Sequence, residues 1–421
     1  MALAEVFERV AGPDAPVEFQ AFDGSKAGAA GSPVRITIKS RSAVAYLAQA
    51  PGALGLARAY VSGHLDVDGD MYAALARMAR AQRLEWTKAE QLRLLGDLGG
   101  PRLLWPRMEP PPQEVRVNSR WRLGRRHSKG RDANAISHHY DVSNTFYEWV
   151  LGPSMAYTCA CYPRADATLE EAQAGKFELV AGKLGLKPGM RLLDVGCGWG
   201  SMVMHAAREH GVQALGVTLS EEQASWAQRA IKEAGLSDLA EVRHMDYRDV
   251  TETDFDAVSS IGLTEHIGKA ELPGYFAFLY GKLRPRGRLL NHCITRPDNK
   301  GPNVVKDGFI NRYVFPDGEL EGPGYLASLI HDTGFEVRHL ENLREHYAMT
   351  LAGWCANLDA HWDEAVAEVG EGTARVWRLY MAGSRLGFER NQIQLHQVLG
   401  VRLGPDGSSG MPLRPDWEPA A

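Results

Sequence analysis

The stretch L-L-D-V-G-C-G-W-G, residues 192–200, runs a short apolar segment straight into three glycines at every second position. An apolar run that stops at glycine is typical of a buried strand followed by a tight turn, because glycine adopts backbone conformations that other residues avoid. A helical pattern follows at about 199–210. The glycines would therefore let the backbone approach a ligand closely, just in front of a helix N-terminus.

Strand and helix patterns alternate after this turn. Q-A-L-G-V is the next strand, and the helix E-E-Q-A-S-W-A-Q-R-A-I-K-E-A-G carries an apolar stripe and ends at Gly235. Further strand candidates are A-E-V-R-H, F-D-A-V-S-S-I-G and G-R-L-L-N-H-C-I. Alternating strands and helices build a parallel sheet with helices on both faces. We predict an α/β fold with a Rossmann-like sheet over residues 134–403.

The other segments differ in composition. Residues 1–100 are predicted to form a small α+β N-terminal domain, in which V-R-I-T-I-K-S alternates as a strand. H-L-D-V-D-G-D lacks the full EF-hand spacing, so no metal site is predicted. Residues 101–133 form a basic linker rich in proline and arginine, and residues 404–421, rich in Pro, Gly and Ser, are expected to be a disordered tail.

Composition excludes several classes of protein. The sequence has no run of 18 apolar residues, which predicts no transmembrane helix, and its N-terminus has no signal-peptide pattern. Five cysteines are few and odd in number, so we expect reduced thiols rather than a disulfide framework. These features predict a cytoplasmic protein.

The basic linker concentrates positive charge. Residues 101–132 contain nine Lys/Arg against three Asp/Glu, with Trp105 and Trp121 among them. A solvated linker has this composition, and so does a surface that meets anionic headgroups at the inner face of a membrane. Nucleic acid is disfavoured, because the net charge is −5 and no nucleic-acid motif is present.

Three details of the glycine turn favour S-adenosylmethionine as its ligand. Asp194 ends the strand before the glycines, where a carboxylate can meet an ammonium group. The G-x-G-x-x-G spacing of a pyrophosphate loop is missing, and the second strand ends in V-T-L-S rather than in the acidic residue of NAD sites. A glycine turn that serves packing alone is the alternative.

Further candidate ligands follow the second and third strands. Thr218, Leu219 and Gln223 are placed for a ribose or methionine moiety, and Asp246 and Tyr247 for an adenine. Taken singly, each is more often a surface turn. Because all of them follow successive strands of one parallel sheet, together they predict a crevice at its carboxyl edge.

Nine motifs make the sequence resemble the cyclopropane fatty acid synthase family, which includes the mycolic acid cyclopropane and methyl-branch synthases. They keep their order and spacing from about residue 134 to 400. The motifs are H-Y-D-V-S-N-T-F-Y (139–147), Y-T-C (157–159), L-L-D-V-G-C-G-W-G (192–200), T-L-S-E-E-Q (218–223), D-Y-R-D (246–249), E-H-I-G (265–268), N-H-C-I (291–294), H-Y-A-M-T-L (346–351) and F-E-R-N-Q-I-Q-L-H-Q (388–397).

The resemblance implies a class I methyltransferase fold and a reaction. The family methylates the cis double bond of an unsaturated fatty acyl chain with S-adenosylmethionine, and here the substrate would be a phospholipid. A carbocation forms and loses a proton to a bound bicarbonate. The implied bicarbonate ligands are the side chains of Glu265, His292 and Tyr347 and the backbone amides of Cys159 and Ile294.

The implied cofactor site combines the residues singled out above with the Y-T-C motif, whose first two residues would border the methionine end. Its members are Tyr157, Thr158, Asp194, Gly196, Cys197, Gly198, Gly200, Thr218, Leu219, Gln223, Asp246, Tyr247 and Arg248.

The bicarbonate ligands also make sense as residues. Glu265 follows an apolar strand and His292 ends another, so both are predicted at the carboxyl edge of the sheet. A Glu–His pair can orient a small oxyanion that a carboxylate alone would repel, and Tyr347 adds a neutral donor. The alternatives are a satisfied core histidine for His292 and a packing aromatic for Tyr347.

Some positions depart from the family pattern. Thr264 stands where many members have Phe, so the acyl pocket is expected to differ. Ser384 stands where some members carry a cysteine, which argues against a covalent mechanism there. Tyr247–Arg248 replaces a Trp–acid pair, which leaves the adenine contacts open.

The predicted product is a cyclopropane fatty acid. The alternative is a methylene branch, which a separate reductase could convert to a methyl branch. Other classes also stay open: a small-molecule methyltransferase, a non-catalytic lipid-binding protein, and a zinc or redox protein built on Cys159 and Cys161, which lacks a second cysteine pair at ligand spacing. Whether the protein is a homo-oligomer is also left open.

Overall fold

The protein is described from a computed structural model, which covers residues 2–80, 96, 98, 100–115, 127, 129, 142–300 and 308–417. The first part of the H-Y-D-V-S-N-T-F-Y motif and most of the linker after residue 115 lie outside these residues. No helix among the described residues is both long and apolar enough to cross a bilayer.

The helices and strands are numbered in chain order. The helices are α1 (Leu3–Ala11), α2 (Arg41–Gln49), α3 (Ala53–Val61), α4 (Met71–Met78), α5 (Asn144–Leu151), α6 (Leu169–Leu184), α7 (Ser201–His210), α8 (Glu221–Glu233), α9 (Thr264–Ile267), α10 (Leu272–Lys282), α11 (Phe309–Tyr313), α12 (Pro323–Asp332), α13 (Arg344–Ala360), α14 (Trp362–Val369) and α15 (Glu371–Glu389). The strands are β1 (Glu18–Ala21), β2 (Lys26–Gly28), β3 (Arg35–Ile38), β4 (Leu65–Asp68), β5 (Arg191–Val195), β6 (Gln213–Thr218), β7 (Ala240–His244), β8 (Phe255–Ile261), β9 (Leu283–Thr295), β10 (Glu336–Asn342) and β11 (Gln394–Val401).

The chain divides into two compact units. The N-terminal unit comprises Met1–Arg116, Lys306–Pro316 and Leu358–Leu386, and the sheet unit comprises Val117–Val305, Asp317–Asn357 and Gly387–Ala421. The predicted boundaries, a domain over 1–100 followed by a linker over 101–133, therefore differ from the structure. The N-terminal unit runs on to residue 116 and takes up two later segments.

A buried ion pair ties one of these later segments into the N-terminal unit. The mixed sheet of the N-terminal unit has the order β2-β1-β3-β4. Asp66 on β4 accepts from both terminal nitrogens of Arg375 on α15, at 3.2 and 3.3 Å. Arg375 also pairs with Glu371 at 2.8 Å, and its side chain is 7% exposed. Burying a charge is costly unless it is paired, so these contacts fix where α15 packs.

The sheet unit holds a seven-stranded sheet of order β10-β11-β9-β8-β5-β6-β7. β5, β6, β7, β8 and β9 run parallel, and β11 runs antiparallel to both β9 and β10. The chain moves outward from β5 through β6 to β7 and then returns to β8 on the other side of β5. Ligands of open α/β sheets bind outside the carboxyl ends of the strands at such a reversal.

Helices cover both faces of this sheet. Leu192 on β5 packs into a core cluster with Phe177 of α6 and Met202 of α7, whereas Leu193 belongs to a second cluster with Phe276 of α10. Successive strand residues point to opposite faces, so β5 is buried on both. The predicted parallel α/β sheet is confirmed.

The C-terminal tail differs from its prediction of disorder. Residues 404–417 are described, and Arg286 donates to Asp406 and to Ser408 at 2.7 Å in each case. Met411 and Trp417 pack against the core cluster that contains Leu192. Two apolar side chains and one ion pair anchor a segment whose Pro, Gly and Ser content alone indicated no structure. Residues 418–421 lie outside the described part.

A pair of glycine substitutions tests how tightly β6 packs against the glycine turn and α7. A Cβ at buried Gly216 would lie 2.8 Å from Cys197 Sγ and from Val203 Cγ2. Gly216→Ala should lower the free energy of unfolding by about 1–3 kcal/mol through overpacking. Gly274 in α10 has nothing within 4 Å of such a Cβ, so Gly274→Ala should stabilise by up to about 1 kcal/mol. Urea titration followed by circular dichroism measures both; equal effects would refute the packing argument.

Candidate cofactor cleft and anion site

The glycine turn after β5 needs its glycines. Gly196, Gly198 and Gly200 have φ values of 75°, 55° and 78°, a region that side chains disfavour. A Cβ on Gly196 would lie 3.2 Å from three atoms of the Leu263 side chain. The turn therefore brings bare backbone to the mouth of a cleft, immediately before α7.

The cleft lies at the carboxyl edge of β5, β6 and β8 and spans about 1040 Å³, including its open mouth. Most of the predicted cofactor residues line it: Tyr157, Thr158, Asp194, Gly196, Cys197, Gly198, Thr218, Leu219, Gln223, Tyr247 and Arg248.

Two predicted cofactor residues do not line the cleft. Gly200 faces Ala227 and Val242, each of which would be 3.2 Å from an added Cβ, so this glycine serves packing. Asp246 is held by Arg248, whose backbone and side-chain nitrogens donate to it at 2.6 to 2.9 Å. Burial alone would raise the pKa of Asp246, but these hydrogen bonds lower it.

Asp194 offers a buried carboxylate to the cleft. It is 2% exposed, and the Ser259 hydroxyl donates to Oδ1 at 2.6 Å. Burial raises the pKa of Asp194 to about 6, against the effects of that hydrogen bond and of the charge on Lys176. A ligand cation beside this group would favour its ionised form.

Gln223 turns its amide nitrogen toward the glycine turn. The Thr218 hydroxyl donates to Gln223 Oε1 at 2.8 Å, which fixes the orientation of the amide. Its Nε2 lies 3.9 Å from the position of a Cβ on Gly198. A pair of N–H donors therefore faces the turn, where a ligand carboxylate could accept them.

A second cluster of polar residues lies on α9 and β9. The backbone N–H of Ile294 donates to Glu265 Oε1 at 2.6 Å. Within the described residues, Glu265 Oε2 is buried and has no hydrogen-bond partner. Burial raises the pKa of Glu265 to about 7. Among the predicted anion ligands, the Ile294 amide is thus already engaged by Glu265.

His292 lies on β9 and is completely buried. Its Nε2 lies 3.1 Å from the hydroxyl of Thr158, which also lines the cleft. Burial, with the charges of Lys176 and Lys183, holds the pKa of His292 well below its usual value, so the ring is neutral. Thr158 therefore connects the cleft to the second cluster.

The other two predicted anion ligands are Cys159 and Tyr347, and both are buried. Cys159 is fully buried, its thiol donates to the Ala160 carbonyl at 3.1 Å, and burial raises its pKa well above the usual range. Tyr347 packs against Phe388 and Trp354, with ring centroids 4.5 and 6.0 Å apart. Burial also raises the pKa of Cys161 to about 12, so neither thiol is reactive.

Sequence reasoning missed several residues of these two sites. Lys176 lines the cleft with 1% exposure, and burial lowers its pKa to about 8. Trp199 and His266 also line it. Gln397 contacts His292 on the side away from Thr158, and Lys183 contacts Gln397. The sequence carried one signal of this role. Both lysines lie among the apolar residues that α6 buries, whereas a surface lysine would lie on the exposed face of the helix.

A protein family and two relatives match most of this chain. A family model described as Mycolic acid cyclopropane synthetase matches residues 127–398, more than half of the chain. The chain belongs to this family. A probable fatty acid methyltransferase of Mycobacterium tuberculosis is 55% identical over 427 residues, covering 100% of this chain and 99% of the relative. A probable fatty acid methyltransferase of Pseudomonas putida is 38% identical over 401 residues, covering 94% of each.

A solved structure supports the same assignment. The mycolic acid cyclopropane synthase CmaA1 complexed with SAH and CTAB is 32% identical, has a TM-score of 0.60, and covers 64% of this chain and 98% of that one. This member of the cyclopropane synthase family is thus a class I, S-adenosylmethionine-dependent methyltransferase, and the predicted family, fold class and enzyme class are confirmed.

The buried carboxyl of Glu265 makes a prediction about stability. Its folded pKa of about 7 exceeds the ordinary value of 4.5. The folded state therefore binds the proton more tightly, and this contribution to stability is present below pH 4.5 and lost as the pH rises through 7. Relative to the native protein, Glu265→Gln should be more stable by roughly 1–3 kcal/mol at pH 8, with the difference falling below about 1 kcal/mol near pH 5.

Thermal denaturation in bicarbonate-free buffer from pH 5 to 8 measures this difference. Glu336→Gln is the matched control, because Glu336 is an exposed carboxyl paired with Arg338 at 2.6 Å. A Glu265→Gln curve that stays parallel to the native curve at all pH values would contradict the assigned pKa.

Proposed function

We propose that this chain methylates the cis double bond of an unsaturated fatty acyl chain of a phospholipid and produces a cyclopropane fatty acid. The observation that carries the proposal is the buried Glu265 carboxyl, with one oxygen unpartnered among the described residues, at the sheet edge that also holds His292 and its partner Thr158. The two relatives that cover nearly the whole chain are named as fatty acid methyltransferases, and CmaA1 as a cyclopropane synthase.

The residues of the cleft fit S-adenosylmethionine. When bound, this cofactor supplies an electrophilic methyl group on a sulfonium cation. The buried carboxylate of Asp194 suits an ammonium, the Gln223 amide suits a carboxylate, and the bare backbone of Gly196 and Gly198 allows close approach. Thr158 and Tyr157 border the end of the cleft nearest to His292.

The unpartnered oxygen of Glu265 fits a bound bicarbonate. An ionised carboxylate accepts hydrogen bonds only, so Oε2 requires a donor, which the hydroxyl of bicarbonate provides and carbonate lacks. Its lowered pKa makes the His292 ring a weak base, so it does not take the proton of the ion. A bicarbonate held here would supply the weak base that a carbocation needs. For the Ile294 amide to join as a ligand, it must be shared with Glu265.

The surroundings of the site protect a carbocation from capture. Alkene methylation requires a site free of competing nucleophiles. The thiols of Cys159 and Cys161 stay protonated at neutral pH because burial raises both pKa values. Aromatic side chains surround the region, with Tyr157 5.4 Å from Trp354 between ring centroids. Tyr157 and Trp354 would therefore offer the faces of their π-systems to the cation.

A methylene-branched product is the second candidate. The two near-full-length relatives are named as fatty acid methyltransferases without mention of a ring. Thr264 precedes Glu265 and is buried, with its hydroxyl donating to Asn291 at 2.5 Å. A polar pair here would change the acyl pocket beside the base. A reductase partner would then convert the branch to a methyl group.

We also propose that the protein works in the cytoplasm, at the inner face of the membrane. A phospholipid acyl chain is reached from the bilayer surface. In the N-terminal unit, Trp105 is 75% exposed and Leu104 42% exposed, and Arg102 and Arg107 beside them are also exposed. Exposed aromatic and basic side chains together suit an interface with anionic lipid.

The first test is the lipid product. Cells that express the protein should contain acyl chains with the upfield ring-methylene protons of a cyclopropane in their NMR spectra. Purified Glu265→Gln should lose at least about 100-fold of its methyl transfer to cis-unsaturated phospholipid vesicles, whereas Glu336→Gln should keep it. Exocyclic alkene protons in the product would contradict the cyclopropane and indicate the methylene branch. Full activity of Glu265→Gln on lipid would contradict the proposed base site.

Cysteine substitutions test how Cys159 acts. A role through its backbone amide survives a change of side chain, and its thiol is protonated and buried. Cys159→Ala and Cys159→Ser should therefore keep methyl transfer within about tenfold of the native rate, less damage than Glu265→Gln causes. Loss of activity in both variants, with native circular dichroism spectra, would assign the thiol itself a function.

Vesicle binding tests the membrane contact. Neutralising Arg102 and Arg107 to Gln should weaken co-sedimentation with anionic vesicles about tenfold or more, since each basic residue contributes about 1 kcal/mol near such a surface. Trp105→Ala should weaken it further, and added salt should reduce native binding. Arg229→Gln, on the exposed face of α8, is the control. Binding that depends on neither the salt concentration nor these substitutions would show that the membrane contact lies elsewhere on the protein.

A further inference from the structure

Three neighbouring strands place a row of polar side chains behind His292. In the pairing of β11 with β9, Gln397 lies directly opposite His292, and in the pairing of β10 with β11, Glu341 lies directly opposite Gln397. Opposite residues in antiparallel pairs share one face of the sheet. Glu341, Gln397 and His292 therefore form a line that runs inward from the sheet edge.

Lys183 of α6 contacts two of these three residues, Gln397 and Glu341. Its side chain is fully buried, and its Nζ donates to Gln397 Oε1 at 2.6 Å and also to Glu341. Burial lowers the pKa of Lys183, but the hydrogen bond and charge of Glu341 act against that shift. The ion pair with Glu341 thus supports a charged lysine under the sheet.

A lysine ammonium fixes which way the Gln397 amide points. An ammonium group has donors only, so the atom of Gln397 that faces it must be the carbonyl oxygen. The amide nitrogen of Gln397 then faces His292, with Nε2 3.1 Å from Nδ1. Since this nitrogen can only donate, Nδ1 of His292 must be the acceptor and carries no proton.

The proton of the neutral ring therefore sits on Nε2. That nitrogen is 3.1 Å from the Thr158 hydroxyl and donates to it. Because Thr158 accepts from His292, its own hydroxyl proton can be donated into the cleft that it lines. The direction of every hydrogen bond from Lys183 to Thr158 follows from one buried charge.

We propose that Lys183 and Gln397 are positioning residues that hold His292 in its neutral form with the proton on Nε2. This inference rests on the proposed function only in what the hydrogen bond is for. With Nε2 donating to Thr158, the hydroxyl proton of Thr158 is left for a bound oxyanion, whereas an acceptor at Nε2 would take that proton. Neither residue reaches the cleft, so both act through His292. Lys176 and Lys183 also contribute charges that keep His292 from becoming protonated.

Gln397→Glu is the sharpest variant. A carboxylate of nearly the same shape accepts where the amide donated, so the ring should place its proton on Nδ1 and turn an acceptor toward Thr158. Lys183→Met removes the group that orients the amide and should give a mixture of the two tautomers. Gln394→Glu is the matched control, because Gln394 is on the same strand with its amide donating to Asn391 at 2.6 Å.

The direct measurement is ¹⁵N NMR of protein labelled at histidine, in which two-bond couplings distinguish the two tautomers without any substrate. The His292 signal is assigned by its shift in Thr158→Val. Native protein should show Nε2–H, Gln397→Glu should show Nδ1–H, and Gln394→Glu should match native. A native signal of the Nδ1–H or the doubly protonated form overturns the proposal, whether or not any variant folds.

Kinetics separate positioning from folding. For Gln397→Glu we expect kcat for methyl transfer to fall about 10- to 100-fold, while KM for S-adenosylmethionine stays within about twofold, because Gln397 lies outside the cleft. Unchanged kcat together with an unchanged His292 signal contradicts the role of Gln397. If native protein shows the Nε2–H signal but methylates no lipid, the proposed function fails and the tautomer assignment stands.

Discussion

The rest of the site depends on the buried hydrogen bond, 2.6 Å long, from the Ile294 amide to Glu265 Oε1. It holds a carboxyl at the carboxyl edge of the sheet, yet leaves its other oxygen without a partner among the described residues. A buried acceptor in that condition costs free energy, which a ligand with a donor recovers. Burial raises its pKa to about 7, so the group can change charge near neutrality.

Two buried lysines give this region its electrostatic character. Lys176 faces the cleft, and Lys183 lies behind His292; burial lowers the pKa of both. Their charges keep His292 neutral, and the charge of Lys176 opposes the rise in the pKa of Asp194. A positive interior of this kind favours a bound anion and the ionised form of Asp194. The same α6 stripe thereby supports the cofactor cleft and the anion cluster.

Features encoded locally were predictable from the sequence, and features made by distant partners were not. The turn at Gly196 to Gly200 was visible because its φ values exclude other residues. The ion pair of Arg375 with Asp66 joins residues more than 300 positions apart, so no local pattern placed α15 in the N-terminal unit. Gln397 fell inside a recognised motif, but its role depends on strand pairing and on Lys183.

The measurement that tests the central claim most directly uses S-adenosylmethionine with a deuterated methyl group and vesicles of a cis-unsaturated phospholipid. Methyl transfer to the double bond followed by loss of a proton from the new methyl predicts an acyl chain that gains one carbon and keeps two of the three deuterium atoms. Retention of all three, or deuterium in the headgroup with the acyl chain unchanged, would contradict the account.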